Sequence, residues 1–182
     1  MKYKKLTGII LKKQNYREAD QIVTVWSREA GKVRCLAKSL RLPKSKLNYA
    51  LQDLSLVQIE LAGRGTLPTL IGAVTLEQHH ALKTDLLKMI NAFYASELML
   101  KMTADEHPNE PAFELLLAFF GELQSADTSN SFSLVDRFAL ELAQALGFGN
   151  PAKVESHTDV RTFIENLIER NIKSESLLNQ MI

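Results

Sequence analysis

The sequence predicts an α+β protein, with five short strands closed into a barrel over residues 1–78 and an all-α domain over residues 79–182. Two observations carry this expectation. The hydrophobic period is strand-like up to Leu76 and becomes helical from Glu77 onward. The charge is also divided by position: residues 1–50 hold 13 Lys and Arg against Glu18, Asp20 and Glu29, while the remainder holds 9 bases against 18 acids. The formal net charge of +1 is therefore a cancellation. A basic part attracts a polyanion, and an acidic part keeps the whole from collapsing onto it.

The strands follow in order. Leu6–Leu11 is short and apolar, Gln21–Trp26 is rich in β-branched and aromatic residues, and Lys32–Ala37 alternates basic with apolar; Leu54–Leu61 and Leu67–Leu76 complete the set. Turn signals separate them at Gln14-Asn15-Tyr16, Glu29-Ala30-Gly31-Lys32 and Gly63-Arg64-Gly65-Thr66. The longest connection, Ser39–Asp53, follows the third strand and carries Arg41, Pro43, Lys44 and Lys46. Five strands with one long connection after the third fit the OB-fold, a small Greek-key barrel that binds oligonucleotides across one face. An SH3-like barrel has a similar strand count, and pattern alone does not separate the two.

In the second half, Leu82, Leu86, Leu87, Ile90, Phe93, Tyr94, Glu97, Leu98 and Leu100 recur at helical spacing and place one broad, mainly apolar face inward. His107-Pro108-Asn109-Glu110-Pro111 stops that helix and starts the next, Phe113–Leu123. A polar stretch, Gln124–Ser133, precedes a third helix at Leu134–Leu146, closed by Gly147, Gly149 and Pro151. Val160–Ile172 and a short Glu175–Met181 complete the expected helices.

The densest candidate site runs from Arg34 to Lys46, with Lys32 just ahead of it. In an extended strand Lys32 and Arg34 project from one face, and Lys38, Arg41, Lys44 and Lys46 follow with almost no acid nearby. Such a surface suits a phosphate backbone, because each cation that neutralises a phosphate releases a condensed counterion. Arg17 and Arg64 are further candidates, and Ser39, Ser45 and Asn48 add neutral donors. A solvated basic face without a ligand is the alternative. Tyr16, Trp26 and Tyr49 are aromatics suited to base stacking, although Trp26 lies in an apolar run that suits a core position better.

Catalytic and metal chemistry find little support. Histidines stand at 79, 80, 107 and 157, and the adjacent His79-His80 pair diverges rather than chelates. There is no phosphate-cradling Gly-rich loop, nucleophile elbow or close carboxylate pair. Cys35 is the one cysteine and sits in an alternating run as a small buried residue, so neither a disulfide nor a cysteine zinc site is expected. No stretch reaches the roughly 18 apolar residues of a membrane span, and no signal-peptide pattern opens the chain, so a cytoplasmic, non-enzymatic protein without cofactor is expected.

The order of these signals resembles the RecO family of bacterial recombination mediators. The matching segments are Thr7-Gly8-Ile9-Ile10-Leu11, Tyr16-Arg17-Glu18-Ala19-Asp20-Gln21-Ile22-Val23, Glu29-Ala30-Gly31-Lys32, Ala37-Lys38, Lys44-Ser45-Lys46-Leu47 and Leu51-Gln52. In the helical half they are Tyr94-Ala95-Ser96-Glu97-Leu98, Arg137-Phe138-Ala139-Leu140-Glu141-Leu142 and Leu146-Gly147-Phe148. The resemblance implies an OB domain and a helical domain, association with the nucleoid, binding of single- and double-stranded DNA, strand annealing, and assistance to recombinase loading together with RecR. It also implies that the helical domain docks the acidic tail of single-strand-binding protein. On that basis Arg137 would fork onto the terminal carboxylate while Phe138, Leu142 or Phe148 lines a pocket; the alternative is an exposed arginine paired with Asp136 or Glu141.

Three departures from the family pattern stand out. Many members carry a four-cysteine zinc site just beyond the Leu-Gly-Phe motif, whereas residues 149–160 contain no cysteine. Ser39 stands where the family usually has Gly after Ala-Lys. The sequence also stops some tens of residues short of the usual family length, which bears on functions that need a longer helical domain. The reading that results is a DNA-binding recombination mediator. Its rivals are an RNA-binding OB module of the translation apparatus and a protein-interaction adaptor whose basic half docks an acidic partner.

Overall fold

The computed structural model describes residues 3–127, 131–149 and 156–168. Five strands, β1 (Tyr3–Tyr16), β2 (Asp20–Ser27), β3 (Gly31–Ala37), β4 (Leu56–Ala62) and β5 (Thr69–Glu77), close in the order β1-β2-β3-β5-β4. All pairings are antiparallel except β3 with β5, where Leu36 meets Thr69. A long first strand shared by β2 and β4, with a parallel β3–β5 closure, is the OB topology. Alternate residues fill the interior: Val23 and Val25 from β2, Val33 and Cys35 from β3, Val57, Ile59 and Leu61 from β4. Leu40 and Leu51 from the long connection join the same core.

β1 is longer than the sequence predicts. The expected Leu6–Leu11 covers its apolar part, but Lys12–Tyr16 continue the ladder against Thr24–Asp20. Their polarity hid them. A bulge between Ile10 and Lys12 leaves Leu11 without an opposite number. Period-two alternation from the inward-facing Ile10 would send Lys12 into the core, and the extra residue turns it outward. The unexpected helix α1 (Lys46–Ala50) is a short turn within the long connection, too brief to show a period.

The β2–β3 turn is held by Ser27, whose hydroxyl donates to the Gly31 carbonyl at 3.1 Å and accepts from the Ala30 amide. Gly31 has φ +68°, and a Cβ there would run into the backbone of His107 and Pro108. That contact comes from a strap, Ala104–Asn109, which belongs to the same compact unit as the barrel. Asp105 bridges Lys32 in parallel, and the Glu106 amide donates to the Lys32 carbonyl at 3.0 Å.

The second unit comprises His79–Thr103 and the chain from Glu110. Its described helices are α2 (His80–Thr84), α3 (Leu86–Met102), α4 (Glu110–Ser125), α5 (Ser131–Ala145) and α6 (His157–Ile168). Where the periodicity predicts one helix there are two. Asp85 interrupts it as an N-cap, its carboxylate accepting from the amides of Leu87 at 2.9 Å and Lys88 at 3.1 Å. α5 ends as expected at Gly147, φ +84°, whose amide bonds Gln144 while that of Phe148 bonds Ala143, a Schellman closure. Phe113, Phe120, Phe138 and Leu142 lie fully inside. The expected Glu175–Met181 helix and the end of Val160–Ile172 fall outside the described residues.

Candidate nucleic-acid interface

The register assembles a basic face on the outside of β1, β2 and β3. Lys12 lies opposite Thr24, and Thr24 opposite Arg34, so two exposed bases flank one strand in a single row. Strand spacing puts their backbones roughly 10 Å apart. Gln14, Ile22 and Leu36 form the next row, and Tyr16 the one beyond. Lys12 is a member that sequence reasoning missed, because its place depends on the bulge.

At the end of this face three connections meet. The β1–β2 turn carries Arg17, with φ +56° and its guanidinium carbon 5.1 Å from the Tyr16 ring centre. The chain leaving β3 carries Lys38 and Arg41, and is tied to that turn: the Arg41 amide donates to the Ala19 carbonyl at 2.9 Å and its Nη1 to the Glu18 carbonyl at 3.0 Å. Ser39, in the left-handed region at φ +54°, donates its amide to Asp20 Oδ1 at 2.8 Å. The β4–β5 loop carries Arg64 between Gly63 (φ +128°) and Gly65 (φ +94°), and ends at Pro68, whose carbonyl accepts the Leu36 amide. Arg17, Lys38, Arg41 and Arg64 are all exposed. These are the β1–β2 and β4–β5 loops through which OB barrels contact oligonucleotides.

The remaining candidates separate from this group. Lys44 and Lys46 are exposed on the turn and the first residue of α1, beside Tyr49, which is 76% exposed. Trp26 is fully buried, so it offers no base a stacking surface. Lys32 stands at the far end of β3, roughly 20 Å from Lys38 along the strand. Its ammonium lies 3.2 Å from Asp105 Oδ1, and only 11% of its side chain is exposed. Lys32 is thus a strut of the barrel rather than a free cation, a pairing invisible in sequence because its acid sits on the distant strap.

Burial pushes the Cys35 thiol up to about 12, away from nucleophilic use. Among the described residues no three His, Cys, Asp or Glu side chains gather as metal ligands, and no helix is long and apolar enough to cross a membrane.

In the helical unit, α4 and α5 frame a surface pocket of about 210 Å³ lined by Leu115, Ala118, Phe119, Glu122, Arg137, Phe138 and Glu141. The Phe119 and Phe138 rings, both in its lining, have centres 4.7 Å apart and planes tilted by 33°. Arg137 at the rim is half-exposed and bonded through Nη2 to Glu122; its Nε lies 3.9 Å from Glu141. Of the two pairings in the alternative reading, the one with Glu141 is present as this loose ion pair, while Asp136 instead meets His157 Nδ1 at 2.6 Å. Leu142 is buried in the helical core, and Phe148 stands beyond the Gly147 closure of α5; neither is among the residues that line this pocket.

The fold defines a two-unit class: an OB barrel with basic loops, joined to a helical bundle. Residues 1–79 match the family model for the N-terminal part of recombination protein O, and residues 83–171 match that for its C-terminal part. The chain belongs to the RecO family. It is 33% identical over 124 residues to a DNA repair protein RecO of Anaeromyxobacter dehalogenans, covering 67% of this chain and 49% of the relative. Proteins of the same name from Symbiobacterium thermophilum and Chromobacterium violaceum are 32% and 34% identical over 141 and 144 residues, covering 78% and 79% of this chain and 55% and 57% of theirs. The chain spans about half the length of the curated relatives it matches.

Proposed function

We propose that this protein is a non-enzymatic mediator of recombinational DNA repair, which holds single- and double-stranded DNA by its phosphates and promotes annealing of complementary strands. The observation that carries the reading is the convergence of Arg17, Lys38, Arg41 and Arg64 on the loop end of an outer face already bearing Lys12 and Arg34. Flexible cations facing solvent suit the backbone of any sequence, and nothing in the row is arranged as a fork for one base edge. Lys44 and Lys46 are further exposed bases on the long connection, and Tyr16 and Tyr49 supply rings for unstacked bases. The cell's DNA places such a protein in the cytoplasm at the nucleoid.

The helical unit then docks a partner. The Arg137 pocket has an apolar floor and a guanidinium at its rim, the two groups needed by an acidic tail that ends in an apolar residue with a free carboxylate. Single-strand-binding protein carries such a tail, and RecR is the second expected partner, with recombinase loading as the joint outcome. A strand-annealing assay with and without single-strand-binding protein tests the whole reading. Bare-strand annealing should be accelerated by the wild type and by Arg137→Ala alike. Annealing of coated strands should be lost in Arg137→Ala, and failure of the wild type on both substrates would sink the reading.

A further inference from the structure

We propose that Glu122 is an internal competitor in the Arg137 pocket, holding the guanidinium in the free protein and setting the affinity for any ligand carboxylate. This inference rests on the reading of the pocket as a site for a carboxylate-terminated peptide. Arg137 Nη2 bonds Glu122, while Glu141 stays at 3.9 Å from Nε, beyond hydrogen-bond reach. The position that an incoming carboxylate would take on the guanidinium is therefore filled by the protein's own carboxylate.

The geometry makes this a contest rather than a fixed structural tie. Glu122 lies in the last turn of α4, which ends at Ser125, so its charge faces the negative end of the helix dipole and relies on a nearby cation. A ligand carboxylate approaching Arg137 from outside brings no such penalty. Both side chains are about half-exposed, 50% for Arg137 and 49% for Glu122, so Glu122 can swing into water when displaced. An exposed ion pair of this kind is weak, and the competition it imposes is correspondingly modest. The floor of Leu115, Ala118, Phe119 and Phe138 supplies the opposing gain, because about 210 Å³ accommodates one aromatic side chain. The same arrangement discriminates between ligands. A peptide with only an apolar end leaves the Arg137–Glu122 pair intact, whereas one with an adjacent carboxylate exchanges it for the ligand's own carboxylate.

The test uses the full chain and a synthetic acidic peptide ending in Phe, with a free carboxylate or as the terminal amide. Glu122→Gln should bind the free-carboxylate peptide about threefold tighter than wild type, from removal of one exposed pair. Binding of the amide should not change, and the gain should vanish in Glu122→Gln/Arg137→Ala. Glu122→Ala serves as a second variant, with thermal melting to confirm that α4 and α5 remain packed. If wild type prefers the free carboxylate and depends on Arg137, but both Glu122 variants bind no tighter, Glu122 is not a competitor and the pocket reading survives. If wild type binds acid and amide equally, or neither, the pocket reading fails and the inference falls with it.

Discussion

Replacing Lys12 and Arg34 together with Ala removes the two exposed bases that the barrel register sets on either side of Thr24. Each phosphate contact on single-stranded DNA contributes about 0.7 to the log–log salt slope, so each is worth about fivefold in affinity at 0.1 M salt relative to 1 M. Losing both predicts about 25-fold weaker binding at 0.1 M and a slope shallower by about 1.4. The loss should be equal for unrelated sequences, since contacts to phosphates carry no sequence information. Fluorescence anisotropy of a labelled oligonucleotide across a salt series measures both quantities. Lys32→Ala is the internal control: that ammonium is committed to Asp105 at the far end of β3, so its removal should lower barrel stability and leave DNA affinity within about twofold. A larger effect on DNA from Lys32→Ala than from the Lys12/Arg34 pair would refute the placement of the interface.

Gly31→Ala should destabilise the protein by about 3 kcal/mol or more, because it combines a positive φ with a clash against strap backbone, and urea unfolding would expose any milder cost. Ser39→Gly should stabilise by about 0.5–1 kcal/mol by relieving the left-handed backbone of a residue with a Cβ, and an unchanged urea midpoint would argue against that strain. Cys35 should resist iodoacetamide at pH 8 until the protein unfolds; rapid labelling of folded protein would contradict its burial. Folding raises the Cys35 pKa from 9.0 to about 12, so the native state keeps a proton that the unfolded state releases. Its contribution is therefore whole below pH 9 and declines as pH climbs toward 12, and Cys35→Ala should show a flatter alkaline loss of stability.

The sequence was legible where one face is apolar. In β3, Val33 and Cys35 alternate with Lys32 and Arg34, and β2 is a β-branched and aromatic run, so the place of both strands could be read directly. The second half of β1 could not, because Lys12–Tyr16 carry no apolar alternation and their orientation turns on one bulged residue. Asp85 hid inside a continuous helical period, since an apolar stripe persists through a break that an N-cap repairs. In the candidate site, Arg17, Lys38, Arg41 and Arg64 were legible as basic loop residues, yet what brings them to one end is the Arg41 latch and the Leu36–Thr69 closure. The Arg137 pocket likewise depends on which α4 residues face α5. Its neighbours Glu122 and Phe119 come from a different helix, whereas the family resemblance, which matches segments along α5 and just past it, implied Leu142 and Phe148.

The salt dependence of wild-type binding to single-stranded DNA tests the central claim most directly. Lys12, Arg17, Arg34, Lys38, Arg41 and Arg64 face solvent on one side of the barrel, and Arg41 is partly committed to Glu18, so roughly five phosphates should be neutralised. The log–log slope should then be about −3.5 for any sequence tested. A slope near zero, or binding that tracks sequence and ignores salt, would contradict a face that works through phosphates.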